Sequence, residues 1–272
     1  EAGGSESPPR YLKDWHMMRD WLDEQRKAAS RGGAVPAGGA CPPYRVPAGF
    51  ADDWLNGWWD YRAAEDAAAG RGRNDYRFCY VGEAGSWTPL HRDVFCSHSW
   101  SANIAGRKLW IVFPPSQRDN LHDRWGRAVV PDARLDADAL DAERWPGWAS
   151  AVRERVELVQ EAGDLLFMPS GHWHQVHNLM PCLSVNHNMF NAHNLARVWA
   201  SLASDLADVR EAISDCKEGD DDDLEWEEQC QRIMAANSGI GVDEFVRLLQ
   251  WRAGILVEQL TSASAGADVG GG

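Results

Sequence analysis

Between residues 76 and 190, apolar positions come in short runs separated by turn residues. The runs are aromatic and β-branched, which is typical of strands. In KLWIVF, alternation places Lys108, Trp110 and Val112 on one face of a strand and the intervening residues on the other. The candidate strands are YRFCYVG (76–82), SWSANIAG (99–106), KLWIVF (108–113), two runs around the EAGD turn at 161–164, and LSVNHNMF (183–190). This pattern predicts a double-sheet jelly roll or barrel.

The period of the apolar positions changes after Asn191. Steps of three and four residues predict an amphipathic helix over 195–213, and two more helical stretches over 224–236 and 243–260. Four consecutive Asp residues at 220–223 are predicted to lie in a solvated loop. The fold class is therefore predicted to be mainly β with C-terminal helices.

Glycine, alanine and proline mark the segments outside these elements. Residues 30–48 and 67–75 are rich in these types and are predicted to be linkers, with a short helix at 52–62 between them. The predicted organisation is a flanking region at 1–75, a β core at 76–191, a helical segment at 192–261 and a disordered tail at 262–272.

The net charge of the chain indicates which kinds of binding partner it suits. Acidic residues outnumber basic ones by 41 to 27, which gives a net charge of −14. This excess opposes tight binding to the phosphate backbone of nucleic acids and suits a basic partner. No apolar run approaches the roughly 20 residues that span a bilayer. We therefore expect neither a nucleic acid nor a membrane as the direct partner.

Six cysteines are scattered along the chain without a Cys-x-x-Cys motif. This spacing is typical of free thiols in a reducing compartment, not of a disulfide framework or a zinc ribbon. We therefore expect a cytoplasmic location, with the nucleus as the alternative.

Three histidines lie within GHWHQVHN at 171–178. Strand alternation places His172 and His174 on one face and His177 on the other, so His177 cannot share a site with His174. Alternation does not choose between His172 and His174. A histidine in a strand is also more often a hydrogen-bonded core or surface residue than a metal ligand.

A second histidine motif lies upstream in WTPLHRDVF, where His91 and Asp93 are two residues apart and share a face of an extended segment. Together with a later strand histidine in a jelly roll, they supply two imidazoles and a carboxylate. That set is the facial triad of non-haem Fe(II) oxygenases. Three protein ligands leave three positions of an octahedral ion open, two for a bidentate co-substrate and one for dioxygen.

Two further residues fit a co-substrate with a second carboxylate. Lys108 opens a strand after a turn and could receive that carboxylate, and Thr88, three residues before His91, could donate a hydroxyl hydrogen bond to it. Each also has a plainer interpretation, as a surface cation near a turn and an ordinary strand threonine.

Four blocks of the sequence resemble the JmjC-domain family of 2-oxoglutarate oxygenases. The blocks are GSWTPLHRDVF, SWSANIAGRKLWIVFPP, EAGDLLFMPSGHWHQVHNL and LSVNHN. They occur in the family's order, and the likeness covers most of the chain except the linkers, residues 119–156 and the tail. The resemblance implies a double-stranded β-helix, or cupin-like barrel, that uses Fe(II), 2-oxoglutarate and O2.

The resemblance implies that His91, Asp93 and His174 are the iron ligands. The last ligand of the family is the fifth residue after a proline, and counting from Pro169 gives His174. His172 stands where relatives commonly have tryptophan. This departure leaves His172 as an alternative ligand or as a group that faces the site beside the ligands.

The same resemblance implies the co-substrate contacts. Lys108 and Thr88 would bind the distal carboxylate of 2-oxoglutarate, and Tyr11 would join them. Asn186 stands where relatives place a polar contact to 2-oxoglutarate, with Asn188 as the second choice.

Further blocks, among them YLKDWH (11–16) and DWLNGWWD (53–60), resemble in particular family members that hydroxylate a lysine of the eukaryotic translation termination factor. The resemblance therefore implies a protein lysyl hydroxylase with that factor as its partner. The alternatives are an N-methyl-lysine demethylase, a non-catalytic jelly-roll binding module and a zinc hydrolase, in which Lys108 would have no role. Family members often dimerise through C-terminal helices, so residues 192–260 could form a homodimer interface; alternatively, they could pack on the barrel.

Overall fold

The computed structural model describes residues 7–31, 41–69, 74–216 and 223–268. Parts of both predicted linkers, most of the acidic run at 217–222 and the last four residues of the tail lie outside the described residues. The chain forms two compact units, one built from residues 1–48 with 75–189 and the other from residues 49–74 with 190–272.

The first unit contains two antiparallel sheets. Its strands in the described chain are β1 (Tyr11–Trp15), β2 (Arg77–Gly82), β3 (Trp87–Arg92), β4 (His98–Ala105), β5 (Lys108–Phe113), β6 (Val156–Gln160), β7 (Leu165–Met168), β8 (Trp173–Asn178) and β9 (Cys182–Met189). Five strands form one sheet in the order β1-β2-β9-β4-β7, and four form the other in the order β3-β8-β5-β6. The predicted jelly-roll fold with C-terminal helices is confirmed.

The helices lie in both units. They are α1 (Met17–Ser30), α2 (Trp54–Ala68), α3 (Trp148–Arg153), α4 (Leu195–Ala212), α5 (Asp223–Ser238) and α6 (Val242–Asp268). Helices α1 and α3 belong to the first unit, and the other four to the second. None of the described helices is both long and apolar enough to cross a membrane.

The predicted alternation along β5 is confirmed by packing. Trp110 and Val112 pack with Met168 of the opposite sheet, so this face of β5 looks into the space between the sheets. Ile111 and Phe113 point the other way, into a separate apolar cluster. Burial of each of these large side chains stabilises the fold by roughly 1.5–3 kcal/mol.

The segment between β5 and β6 covers the outer face of the four-stranded sheet. Its buried side chains complete the apolar cluster around Phe113, namely Leu121, Val130, Ala133, Trp145, Trp148 and Ala151. The Trp148 indole also donates a hydrogen bond of 2.9 Å to the Asp136 carbonyl. Residues 119–156, which none of the resembling sequence blocks includes, therefore provide the outer half of this core.

Gly106 makes the tight turn that brings Lys108 to the start of β5. Its φ of +86° lies in the left-handed region, which favours glycine. A Cβ at this position would also collide with the Pro181 carbonyl oxygen and with Cys182. The turn therefore requires glycine for two separate reasons.

Three boundaries differ from those predicted. Strand β1, inside the predicted flanking region, pairs with β2 and so belongs to the barrel. Helix α2 runs beyond the predicted end at residue 62, because the segment RAAEDAA (62–68) contains strong helix formers. Helix α6 continues to Asp268 instead of ending near 261, since alanine, the strongest helix former, occupies three of the seven positions at 262–268.

Candidate metal centre

Two strands of the four-stranded sheet bring the two candidate histidine ligands together. His91 of β3 and His174 of β8 are direct cross-strand partners, and the centroids of their rings are 4.2 Å apart. Asp93 follows immediately after β3. Ligand atoms of these three residues all lie within 4.8 Å of one another, which makes them a group that could hold a metal ion.

Hydrogen bonds fix the imidazole rings. His91 Nδ1 lies 2.8 Å from the Pro89 carbonyl oxygen, and because a carbonyl only accepts, Nδ1 carries the proton and Nε2 is left for a metal. His174 Nδ1 has a longer contact of 3.4 Å to the His172 carbonyl. Burial, together with the nearby His91, lowers the pKa of His174 to about 4. His174 is therefore neutral near pH 7, as a metal ligand must be.

A hydroxyl group orients the carboxylate. Ser99 Oγ donates a hydrogen bond of 2.7 Å to Asp93 Oδ2, which leaves Oδ1 for a metal. Ser99 is buried in β4, and the turn that leads from Asp93 into β4 contains Phe95 and Cys96 with φ of 56° and 52°. Such backbone costs roughly 1–3 kcal/mol per residue and persists where surrounding contacts hold it. Ser170 Oγ donates to the Cys96 carbonyl and is one of those contacts.

Lys108 lies on the same side of the four-stranded sheet and is only 3% exposed. Its Nζ donates a hydrogen bond of 3.1 Å to Asn178 Oδ1, and burial lowers the pKa of Lys108 to about 8. Among the ion pairs of the described residues, none involves Lys108. A buried ammonium group without a protein carboxylate favours an anionic ligand.

Two hydroxyl groups bridge the sheets close to this lysine. Tyr11 of β1 and Thr88 of β3 belong to opposite sheets, and their hydroxyl oxygens are 3.4 Å apart. Burial raises the pKa of Tyr11, so this phenol stays protonated and can donate. Asn178, which contacts Lys108, also donates a 2.8 Å hydrogen bond to Ser86 Oγ.

The three candidate ligands line one pocket between the sheets together with Ser99, Lys108, Tyr11 and Thr88, and the volume of this pocket is about 470 Å³ including its open mouth. The lining residues are Tyr11, Tyr80, Thr88, His91, Asp93, Ser99, Lys108, Trp110, His174, Val176, Asn186 and Asn188. The structure therefore brings together all seven residues that the sequence singled out for metal and co-substrate, and Asn188 as well.

The two asparagines of β9 are already engaged by serines. Asn186 Oδ1 accepts a hydrogen bond of 3.0 Å from Ser101 Oγ, and Asn188 Nδ2 donates one of 3.0 Å to Ser97 Oγ. Each amide keeps further hydrogen-bonding capacity towards the pocket. The geometry therefore accommodates either asparagine as a contact to a small ligand.

The other two histidines of the 171–178 stretch lie outside the pocket lining. His177 stacks on Trp87 with ring centroids 5.3 Å apart, on the opposite face of β8 from His174, as alternation predicts. His172 precedes β8, and its Nδ1 lies 3.2 Å from the Pro169 carbonyl. Since His172 is not in the strand, alternation does not orient it. The expectation that it faces the site stays a prediction.

Several pocket residues escaped sequence reasoning. Trp110 and Val176 form an apolar wall, and Trp110 is held by a 2.9 Å hydrogen bond from its indole to Gln160 Oε1. Trp110 could have been found, because it shares a face with Lys108 of the same strand. Asn178 contacts Lys108 but lies outside the pocket lining, and it could not have been found, since it is the cross-strand partner of Lys108 and the pairing register cannot be read from one segment.

Comparison with known proteins identifies the fold. A family model described as a cupin-like domain matches residues 54–194. The chain belongs to the cupin-like domain family. The matched part of this cupin-like chain contains every residue predicted for the site except Tyr11, which lies in β1.

The cupin-like chain is similar to several curated proteins. It is 39% identical over 272 residues to the 2-oxoglutarate and iron-dependent oxygenase JMJD4 of Homo sapiens, covering 97% of this chain and 57% of that protein. The JMJD4 protein of Gallus gallus is 40% identical over 240 residues, or 88% of this chain and 49% of that protein. An arginine-specific demethylase of Arabidopsis thaliana, JMJ20, is 39% identical over 241 residues, or 86% of this chain and 47% of that protein.

These relatives confirm the resemblance to the JmjC-domain 2-oxoglutarate oxygenases that the sequence blocks indicated. The chain spans about half the length of the curated relatives that it matches.

Proposed function

We propose that this cupin-like domain is an Fe(II)- and 2-oxoglutarate-dependent oxygenase that hydroxylates a lysine side chain of the translation termination factor. The observation that carries the oxygenase proposal is the presence, in one pocket, of the His91, Asp93 and His174 group and the buried cation Lys108. The human and chicken relatives are named 2-oxoglutarate and iron-dependent oxygenases, which supports the two cofactors.

The three-residue group fits Fe(II). Two imidazole nitrogens and one carboxylate oxygen on one side of an ion are the donor set of non-haem iron oxygenases. His91 and His174 would bind through Nε2, and Asp93 through the carboxylate oxygen that Ser99 leaves available. Partners that hold the non-ligating atoms are what fixes a ligand's orientation in such sites.

Three further residues of the pocket fit 2-oxoglutarate. Lys108 supplies a buried positive charge, and the hydroxyls of Thr88 and Tyr11 supply hydrogen-bond donors for the distal carboxylate. Asn186 or Asn188 would contact the remaining polar atoms. A zinc hydrolase would have no use for Lys108, and a silent binding module would have no chemical reason to keep the ligand group and the lysine together.

When bound, iron and its co-substrate supply the oxidation, in which 2-oxoglutarate and O2 give succinate, CO2 and one oxygen atom for a C–H bond of the substrate. The chain's own residues orient the co-substrate and shield the site from water. Lys108 and Thr88 fix one end of the co-substrate, and the apolar side chains of Trp110 and Val176 exclude water beside His174. Trp110 lies 5.5 Å from the His174 ring, between centroids.

The location and assembly are also proposals. The five cysteines whose side chains are described are free thiols, which suits a reducing compartment such as the cytoplasm. The homodimer expected through the C-terminal helices stays a prediction. Within the second unit, Trp199 of α4 and Val246 of α6 remain 47% and 43% exposed.

The test is oxygen transfer to a termination-factor fragment. With Fe(II), 2-oxoglutarate and O2, we expect mass spectrometry to detect one added oxygen atom on a lysine, with succinate formed in step. The variant His174→Ala should abolish both signals. The matched variant His177→Ala, on the opposite face of β8, should retain both. Succinate formation that survives His174→Ala would contradict the ligand assignment.

A second function, demethylation, has one specific observation in its favour, because the Arabidopsis relative is named an arginine-specific demethylase. The same centre would hydroxylate an N-methyl group, and the product would lose formaldehyde. Methylated lysine and arginine peptides should be assayed beside the termination-factor fragment. Loss of a methyl group, with no oxygen gained by the fragment, would favour demethylation over the lysyl hydroxylase proposal.

A further inference from the structure

Tyr80 connects the pocket to a carboxylate outside it. Its side chain lines the pocket from β2, and its cross-strand partner in β9 is Ser184. The Tyr80 hydroxyl donates a hydrogen bond of 2.7 Å to Asp14 Oδ1. Asp14 is exposed to solvent and does not line the pocket, so this hydrogen bond links a pocket side chain to a carboxylate at the surface.

The backbone of β1 is distorted in a way that produces this pair. Tyr11 lines the pocket and Leu12 pairs with Val81 on the outer face, so regular alternation would also turn Asp14 outwards. The pairing with β2 is irregular between Leu12 and Trp15. Asp14 has a φ of +55° in this irregularity, which re-aims its carboxylate towards Tyr80.

Backbone strain of this kind costs free energy and clusters at functional sites. An edge strand could have stayed regular, with Asp14 facing solvent on the outer face. Instead the distortion brings its carboxylate to a pocket residue. The fold alone therefore does not explain the backbone conformation of Asp14, which suggests that this residue has a function.

The surrounding wall is aromatic and already accepts an ammonium group. The rings of Tyr11 and Tyr80 lie side by side, with centroids 6.2 Å apart. Lys13 Nζ lies 5.4 Å from the centroid of the Tyr11 ring. This is the distance of a cation–π contact. An aromatic face next to a carboxylate is the environment that binds cationic side chains.

Electrostatics ties the same tyrosine to the metal group. Burial raises the pKa of Tyr80, and the negative charges of Asp14 and Asp93 raise it further. The Tyr80 hydroxyl therefore remains a donor, and it lies within electrostatic reach of a candidate iron ligand as well as of the exposed carboxylate.

We propose that Asp14, held by Tyr80, binds the positively charged end of the substrate's side chain at the mouth of the pocket and so selects lysine or arginine. The inference rests on the proposed oxygenase function and names the residue that would recognise the cationic side chain of its substrate. The ammonium or guanidinium group would bind between Asp14 and the tyrosine rings, which leaves the aliphatic carbons of the side chain pointing towards His91, Asp93 and His174.

The test is charge discrimination in binding. The domain is loaded with Mn(II) and 2-oxoglutarate, so that it does not turn over, and titrated with a termination-factor lysine peptide and its norleucine counterpart. We expect the wild-type protein to bind the lysine peptide about five to ten times more tightly. Asp14→Asn should bring this ratio close to one. Asparagine tolerates positive φ, so the variant keeps the backbone of β1.

Two further variants make the test sharper. Tyr80→Phe keeps the carboxylate but removes its hydrogen-bond donor, so the lysine preference should fall by a smaller factor. Asp20→Asn is the matched control, because Asp20 is also exposed but accepts its hydrogen bond from the Trp15 indole. This control should keep the full lysine preference.

The outcomes separate the inference from the proposed function. An unchanged lysine preference in Asp14→Asn, or no preference in the wild-type protein, would overturn the inference even if the lysine gains oxygen in the Fe(II) reaction. A lysine preference that depends on Asp14, with no oxygen transferred to any peptide, would support the cation site and contradict the hydroxylase.

Discussion

The hydroxyl of Ser99 orients the Asp93 carboxylate for metal binding. Its hydrogen bond holds one carboxylate oxygen and thereby directs the other into the pocket. Without it, the carboxylate could rotate and Oδ2 would lose its partner. Contacts of this kind typically contribute a factor of about 10–100 to metal affinity.

We therefore predict that Ser99→Ala weakens Fe(II) or Mn(II) binding by at least about tenfold, measured by metal titration under anaerobic conditions. Ser101→Ala is the matched control. Ser101 lies two residues further along the same face of β4, but its hydroxyl serves Asn186 and not a ligand. Equal losses in the two variants would mean that the effect is not orientation of Asp93.

From the pKa of Lys108 we predict that the KM for 2-oxoglutarate depends on pH. Burial lowers its pKa to about 8, and the protonated form is the one that attracts a carboxylate. Below pH 8 the charge is present, so the KM for 2-oxoglutarate should be constant. Above pH 8 the protonated fraction falls tenfold per pH unit, so this KM should rise by up to about tenfold per unit.

The measurement is the KM for 2-oxoglutarate from about pH 6.5 to 9.5 in the wild-type protein and in Lys108→Arg. Arginine keeps its charge over this range, so the variant should lose the rise even if its KM is higher throughout. A KM that rises in both proteins would assign the pH dependence to another group.

At the scale of strands and helices, local periodicity predicted much of the fold. Alternation placed Lys108 on the inner face of β5, and the change of period near Asn191 located the C-terminal helices. The pairing of His91 with His174 was not readable, because register between strands some 80 residues apart depends on packing of the whole sheet.

The irregular parts of strands were equally hidden from the sequence. The pairing shifts at Leu12–Trp15 of β1 and at Thr88–His91 of β3 are local exceptions to period two. A period can predict which face a side chain takes only where it is unbroken. The three ligand residues could be predicted because the family resemblance assigns them, whereas neither the resemblance nor a period indicated the Asp14–Tyr80 pair.

The requirement for glycine in the β4–β5 turn can be tested by substitution. Gly106→Ala should lower stability by about 2–4 kcal/mol, because it combines unfavourable φ with a collision at the Pro181 carbonyl. Gly163→Ala is the matched control, since Gly163 has a φ of +93° but open space around the missing Cβ. It should cost only about 1–2 kcal/mol. Urea unfolding measures both, and equal losses would show that the collision is relieved at little cost.

For the molecule as a whole, the net charge of −14 bears on the encounter with a basic substrate. An acidic protein attracts a cationic partner over long range, and dissolved salt screens this attraction. The Debye length falls from about 10 Å at 0.1 M to about 3 Å at 1 M ionic strength. Contacts inside the buried pocket are screened much less than charges on the surface.

We therefore predict that kcat/KM for a lysine-containing protein substrate falls several-fold between about 0.1 M and 1 M salt. The KM for 2-oxoglutarate should change less over the same range, because the charge that attracts it is the buried Lys108. This internal comparison separates screening from a general effect of salt on the enzyme. A flat or rising kcat/KM for the protein substrate would mean that the acidic surface serves solubility and not the encounter.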